Sequence, residues 1–309
     1  MTRKTGNITL HTEWISWEPF RVAGAVGYAW IKTLSKDEET GARTALIKYE
    51  PGFRAPACTA SWPIDSYTLE GSMQCGDLWY RKDTFHYRPV GTEIGPISTE
   101  EGIVRLIFTA DSPDPAKNSS EEIFIQNVVT DVPPDPPSLS APDQLDEAGP
   151  DSGFGAHGES AREMFDHGHL PANLGTLEGA REHKGERWRK ILRLDPIAEY
   201  AIRVQRVQKV GVRDCVEKMH MHPWSEEAFL IRGNNQDYDH DIEGHWKWMP
   251  GTYVCRQPGT CMHGDATKLD DDYYMIVRSG WTADPEKARR WRDWQDANEV
   301  PVPPISFRE

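Results

Sequence analysis

Three imidazoles and a carboxylate in the second half of the chain have the types and spacing of a divalent-metal centre. The stretch Lys218–Gly233 carries His220, His222 and Glu226, and His263 follows the turn-forming run Pro258–Thr260. Side chains on a strand alternate between faces, so His220 and His222 point one way and Met219 and Met221 the other. Pro223 then turns the chain, and Glu226 can swing its carboxylate toward the same point. Three neutral imidazoles and one carboxylate leave coordination positions open, which suits Fe(II), Mn(II), Ni(II), Cu(II) or Zn(II). Open positions admit a substrate or O₂.

Other residues compete for these roles. Glu227 is the rival carboxylate, but alternation and the six-residue gap to Gly233 favour Glu226. Cys261 reads as packing beside the site. His167 and His169 have the same two-residue spacing, but no Glu follows them and they lie among Gly and Pro.

Strands must position these groups. Residues 1–110 hold short strand-like runs at Gly24–Thr33, Thr44–Tyr49, Asp65–Leu69, Asp83–Tyr87 and Ile103–Thr109, punctuated by Gly, Pro and Asp. That is the pattern of an all-β sandwich or barrel. Residues 186–282 repeat it at Tyr200–Val210, Cys215–His222, Ala228–Arg232, Thr252–Arg256 and Tyr273–Arg278. Between them, residues 111–185 are polar and rich in Pro and Gly, as expected of a linker. A short helix is conceivable there near Ser160–Asp166. One helix closes the chain, with Asp284 as N-cap, Pro285 at the first helical position, and Ala288, Trp291, Trp294 and Gln295 as its docking stripe.

The two β regions read as an internal repeat. Cys58 precedes Gly71 by 13 residues, as His220 precedes Gly233. Thr84–Thr92 matches Thr252–Thr260 in length, with Gly91 on Gly259. Between these anchors the second copy is six residues longer, and the extra residues fall in Asn234–Gly244, expected to be a polar loop with Asp237, Tyr238, Asp239 and His240. In the first copy, Cys58, Ala60 and Ile64 stand where His220, His222 and Glu226 stand in the second. Ile94 or Gly95 replaces the last histidine. The first copy is therefore expected to hold no metal and to serve as structure, with His86 as an ordinary strand residue.

The arrangement His220-x-His222-xxx-Glu226, then six residues, then Gly233, resembles the cupin signature in every position of its first half. The second half, Pro258-Gly-Thr-Cys-Met-His263, has Thr260 where glycine is usual. Gly251–Val254 with Pro258–Thr260 looks most like the cupins related to anti-sigma factors and to the acetylacetone and dihydroxyacetophenone dioxygenases. The resemblance covers about two thirds of the chain. It implies an all-β fold of two cupin (jelly-roll β-barrel) domains: a degenerate cupin at 1–110, a linker at 111–185, and a metal-binding cupin with its terminal helix at 186–309. It implies one divalent metal per chain, Fe(II) first, on His220, His222, Glu226 and His263, with Glu226 also catalytic. Trp224, Trp246, Trp248, Tyr253 and Arg256 are candidate pocket residues.

The function this implies is an Fe(II) dioxygenase that cleaves a C–C bond of a small β-diketone or hydroxyketone. The alternatives are a non-redox isomerase, lyase or hydrolase, and a non-catalytic metal or ligand sensor. The formal charge of −14 disfavours nucleic acid and anionic membranes as partners. A small molecule, and a second copy in a homodimer, are the expected partners. No run of apolar residues is long enough for a membrane span. The start lacks the apolar core of a signal peptide. The five cysteines lack CxxC spacing and read as reduced thiols, so a cytoplasmic location is expected.

Overall fold

A computed structural model describes residues 6–109, 124–127, 186–195, 198–208, 215–216, 221–239, 244–260, 263–264, 266–267, 273–282 and 284–298. The expected linker falls outside these residues, apart from a strand at Phe124–Asn127. The expected helix near Ser160–Asp166 and the pair His167 and His169 also lie outside them. The chain forms two compact units. Leu192–Tyr200, assigned to the second domain from the sequence, is counted in the first unit, and Asn7–Thr9 in the second. Among the described residues the fold is all-β with one terminal α-helix, as expected.

The first unit is built on an antiparallel sheet. Its longer strands are β1 (Ala29–Lys36), β2 (Arg43–Tyr49), β3 (Ile64–Cys75), β4 (Leu78–Arg81), β5 (Thr84–Arg88) and β6 (Ile103–Thr109). The order across the sheet is β5-β3-β6-β2-β1, with β4 folded back on the far end of β3. Paired residues share a face, so register fixes what points inward. One face gathers Ile31, Ala45 and Ile107 in an apolar cluster, and Tyr49, Phe53, Met73, Cys75, Tyr80 and Ile103 in another. Leu192–Tyr200 is anchored here by Arg193. Its guanidinium lies 3.3 Å from Asp65 and 2.6 Å from Asp195, over the Tyr87 ring.

The second unit repeats the plan with β7 (Tyr200–Gln208), β8 (Glu226–Arg232), β9 (Asn235–Asp239), β10 (Gly244–Trp248), β11 (Thr252–Arg256), β12 (His263–Gly264) and β13 (Tyr273–Gly280). Its main sheet runs β11-β8-β13-β7. Ala228, Leu230, Trp248, Val254, Tyr273, Met275 and Val277 form the core on one face.

The register gives the repeat its physical content. Ile64 of β3 pairs with Arg88 of β5, and Glu226 of β8 pairs with Arg256 of β11. Gly71 and Gly233 both sit at positive φ, 70° and 80°. At Gly71 a Cβ would lie 2.0 Å from the Gly102 carbonyl oxygen, so no other residue fits.

Two local expectations differ from the structure. The insertion is a hairpin, not a loop: β9 pairs with β10, Asp237 opposite Trp246 and Tyr238 opposite His245, and β12 adds a third strand. The Tyr and Trp residues that alternate with charges there favour a pleated surface. The strand expected over Cys215–His222 is described only at Cys215–Val216, and Met221 and His222 lie outside any strand. Pro223 follows immediately and has no N–H to continue a ladder.

The terminal helix α1 (Pro285–Ala297) starts where the sequence places it. Asp284 Oδ1 accepts from Glu286 N at 2.9 Å, capping an otherwise open donor. Ala288 and Gln295 are buried, and Trp291 and Trp294 half-buried. Among the described residues no helix is long and apolar enough to cross a membrane.

Candidate metal centre

Glu226 opens β8 and projects from the same face as the apolar core of the second unit. Alternation along β8 places Ala228 and Leu230 with it and sends Glu227 and Phe229 to the other face. Its cross-strand partners are Arg256 on β11 and Ser279 on β13. His222 reaches the same place from outside the sheet. Its carbonyl oxygen accepts from Gly259 N at 2.7 Å, which ties the His222 backbone to the turn that leads toward His263.

His222 Nε2 lies 3.7 Å from Glu226 Oε2, and both side chains are buried. Metal–nitrogen and metal–oxygen bonds of about 2.1 Å span up to about 4.2 Å between two donors on one ion. The pair therefore fits a shared divalent ion, and a buried mixed nitrogen and oxygen donor set is the chemistry such an ion prefers. The His222 ring is held by Trp224, stacked at 5.0 Å and 17°. Trp224 in turn meets Trp291 of α1 at 5.2 Å. Gly280 clears room for it, since a Cβ there would come within 2.3 Å of the Trp224 Cβ.

Two guanidiniums surround the carboxylate. Arg256 Nη1 donates to Glu226 Oε1 at 3.0 Å, and Arg203 Nη2 lies 3.7 Å from Oε2. Burial alone would raise the Glu226 carboxyl, but His222, Arg256 and Arg203 outweigh it and hold it down at about 2. Arg203 is pushed down to about 10 by burial, opposed by Glu226. It donates to Ser279 Oγ at 2.5 Å.

Glu227 has a different environment. It accepts from Tyr253 at 2.6 Å and lies 3.4 Å from Arg278, on the face opposite Glu226. Tyr253, expected beside the pocket, therefore belongs to that opposite face. Tyr253 and Arg256 are three apart on one strand and cannot share a side.

Of the sequence-derived ligands, the structure brings His222 and Glu226 together. His220 lies outside the described residues. His263 is placed by its backbone on β12, opposite Asp239, and its side chain is not among those described. Among the described residues no three potential ligands form a complete cluster. Of the pocket candidates, Trp224 stacks on His222, and Trp248 is buried with its ring 5.6 Å from the Arg256 guanidinium. Trp246 is placed on β10 by its backbone alone. Arg203 was missed. Its signal was a single charge on the side of Tyr200–Gln208 shared with Ala201, Gln205 and Val207, which reads equally well as a solvent-facing residue.

No protein-family model and no curated protein sequence matches the chain. Solved structures do match it in fold. One is described as a "putative dioxygenase" of Nostoc punctiforme, with TM-score 0.58 and 15% identity, covering 97% of this chain and 88% of that one. Another is a "putative glyoxylate induced protein" of Pseudomonas aeruginosa, with TM-score 0.55 and 9% identity, covering 90% of each. A third is Ylba of E. coli, with TM-score 0.54 and 9% identity, covering 92% of this chain and 94% of that one. The fold is that of the two-barrel cupins. At such identities the likeness establishes the fold and leaves the chemistry to the residues.

Proposed function

We propose that the second cupin is a metal-dependent catalytic centre and that the protein is an Fe(II) dioxygenase cleaving a C–C bond of a small β-diketone or hydroxyketone. The observation that carries this reading is the convergence of His222 Nε2 and Glu226 Oε2 at 3.7 Å inside the barrel. His220 and His263 would complete the ligand set. A divalent ion held there would supply Lewis acidity and, as iron, redox chemistry toward O₂.

The chain's own residues account for the rest. Glu226 stays ionised, because the Arg256 and Arg203 guanidiniums favour its charged form. Arg256 fixes one carboxylate oxygen and leaves the other turned to His222. Arg256 and Arg203 also place fixed positive charge beside the His222–Glu226 pair, and buried charge of this kind is worth more than it is in water. Trp224 and Trp248 supply apolar walls that exclude water.

The test pairs elemental analysis of protein purified without added metal with oxygen-electrode assays on a panel of β-diketones and hydroxyketones. The expected result is one iron per chain and substrate-dependent oxygen uptake, both lost in His222→Ala. Turnover of a panel compound without oxygen uptake would reassign the site to a non-redox isomerase, lyase or hydrolase. Absence of any bound divalent metal would overturn the reading altogether.

A further inference from the structure

The interior of the first barrel is strongly polar where that of the second is apolar. Ser66 pairs with His86 as Ala228 pairs with Val254, and Thr68 pairs with Arg105 as Leu230 pairs with Met275. Ser66, His86 and Arg105 thus replace Ala228, Val254 and Met275, all core residues of the second unit. Arg88, the counterpart of Arg256, points to the same face. Its opposite number on β3 is Ile64, not a carboxylate. The first barrel thus holds two arginines and a histidine in its interior.

These groups are unbalanced. His86 is 0% exposed, Arg88 5% and Arg105 7%. Arg88 donates to Cys75 Sγ at 3.1 Å, and Arg105 to Ser66 Oγ at 2.5 Å, both neutral acceptors. The two guanidiniums lie 4.7 and 4.8 Å from the same Tyr80 ring. A single aromatic quadrupole contributes about 2 kcal/mol to a desolvated cation, while burying a charge costs several. Among the described residues no carboxylate lies in ion-pairing range of either arginine. Both His86 ring nitrogens, the Tyr80 hydroxyl and Arg105 Nε are buried without hydrogen-bond partners. His86 stacks flat on Tyr80 at 3.4 Å and 4°, which fixes the direction of its nitrogens. Burial, then Arg105, pushes His86 down to about 2, so the ring is neutral and offers one N–H donor.

Buried polar groups persist when something satisfies them. We propose that the first barrel is a binding site for a small oxyanion of the carboxylate or phosphate class, held by Arg88 and Arg105 with His86 as a neutral donor. An oxyanion accepts several hydrogen bonds at once and matches guanidinium forks. It supplies the negative charge that Ile64 does not. The site is independent of the metal centre, because none of its residues is a metal ligand.

The experiment uses the full chain in a bulky sulfonate buffer salt, free of chloride, at constant ionic strength. Sodium phosphate and sodium malonate are titrated separately, and the thermal midpoint is followed. In parallel, untreated protein is denatured and the released small anions are measured by ion chromatography. The expected result is a saturable rise of about 3 °C or more at about ten times Kd for at least one anion, or a stoichiometric oxyanion released from the protein as purified. The effect should persist in His222→Ala, which separates it from the metal centre. It should weaken at least about tenfold in Arg88→Met and in Arg105→Met, and Arg105→Lys serves if the Met variant does not fold. No shift with either anion together with no released anion would overturn the proposal. So would an equal shift in the wild type and the arginine variants.

Discussion

Arg256 Nη1 and Glu226 Oε1 form a buried 3.0 Å hydrogen bond across β11 and β8, while the other carboxylate oxygen faces His222. One residue of the proposed ligand set is thus held by a cation on its far side. The arrangement lowers the basicity of the carboxylate but keeps it charged and aimed.

Replacing Glu226 by Gln keeps the shape and one oxygen donor while removing the charge. Arg256 and Arg203 then lose their counterion. The expected cost is on the order of 3 kcal/mol, with the fold retained. Metal affinity should fall at least about tenfold, and turnover should be lost even at saturating metal. Thermal melts, metal titration and assays at saturating metal check the three effects separately. Full turnover at saturating metal would remove the carboxylate from the mechanism.

The barrel class, the terminal helix and its cap were legible in the sequence, because Asp284-Pro285 and the spacing from Gly71 and Gly233 are local signals. The separation of Glu226 from Glu227 was legible for the same reason, since strand alternation needs only a register. Arg203 and the hairpin over Asn235–Trp248 were not. A lone charge in a strand, or a polar insertion, acquires its meaning from what it packs against. The polar interior of the first barrel was not legible either, because only the strand register shows it. Ser66, His86 and Arg105 sit at positions that hold apolar residues in the second copy.

The depressed Glu226 carboxyl makes the metal-free protein pH-dependent. Its folded value, about 2, lies below the ordinary 4.5. Its contribution to stability is therefore fully present above about pH 4.5 and is lost as pH falls toward 2. It amounts to something on the order of 3 kcal/mol. Glu226→Gln should flatten this part of the stability profile in urea melts between pH 5 and about 3. Metal retention should fail earlier, at or somewhat below about pH 6.5, as the imidazoles protonate. A wild-type profile that matches the variant would show that the ion pairs contribute nothing.

Glu227→Gln should behave differently from Glu226→Gln. The side chain is buried between the Tyr253 hydroxyl and Arg278, so losing its charge leaves a guanidinium poorly compensated. The thermal midpoint should drop by something on the order of 10 °C. The residue faces away from His222, so metal stoichiometry and turnover of the folded protein should stay near wild type. An inactive but stable Glu227→Gln would shift the ligand register by one residue.

Gly280→Ala tests whether Trp224 positions His222 or merely fills space. The added methyl would sit 2.3 Å from the Trp224 Cβ and 2.6 Å from its Cγ, so the indole must move. Overpacking of this kind costs about 1–3 kcal/mol. The indole stacks on His222 at 5.0 Å, and its displacement carries the imidazole away from Glu226. Metal affinity should fall by about tenfold or more, with a change in tryptophan fluorescence. A lower melting temperature with unchanged metal affinity would assign Trp224 to packing against α1 alone, and His222 would then owe its orientation to the Gly259 hydrogen bond on its backbone.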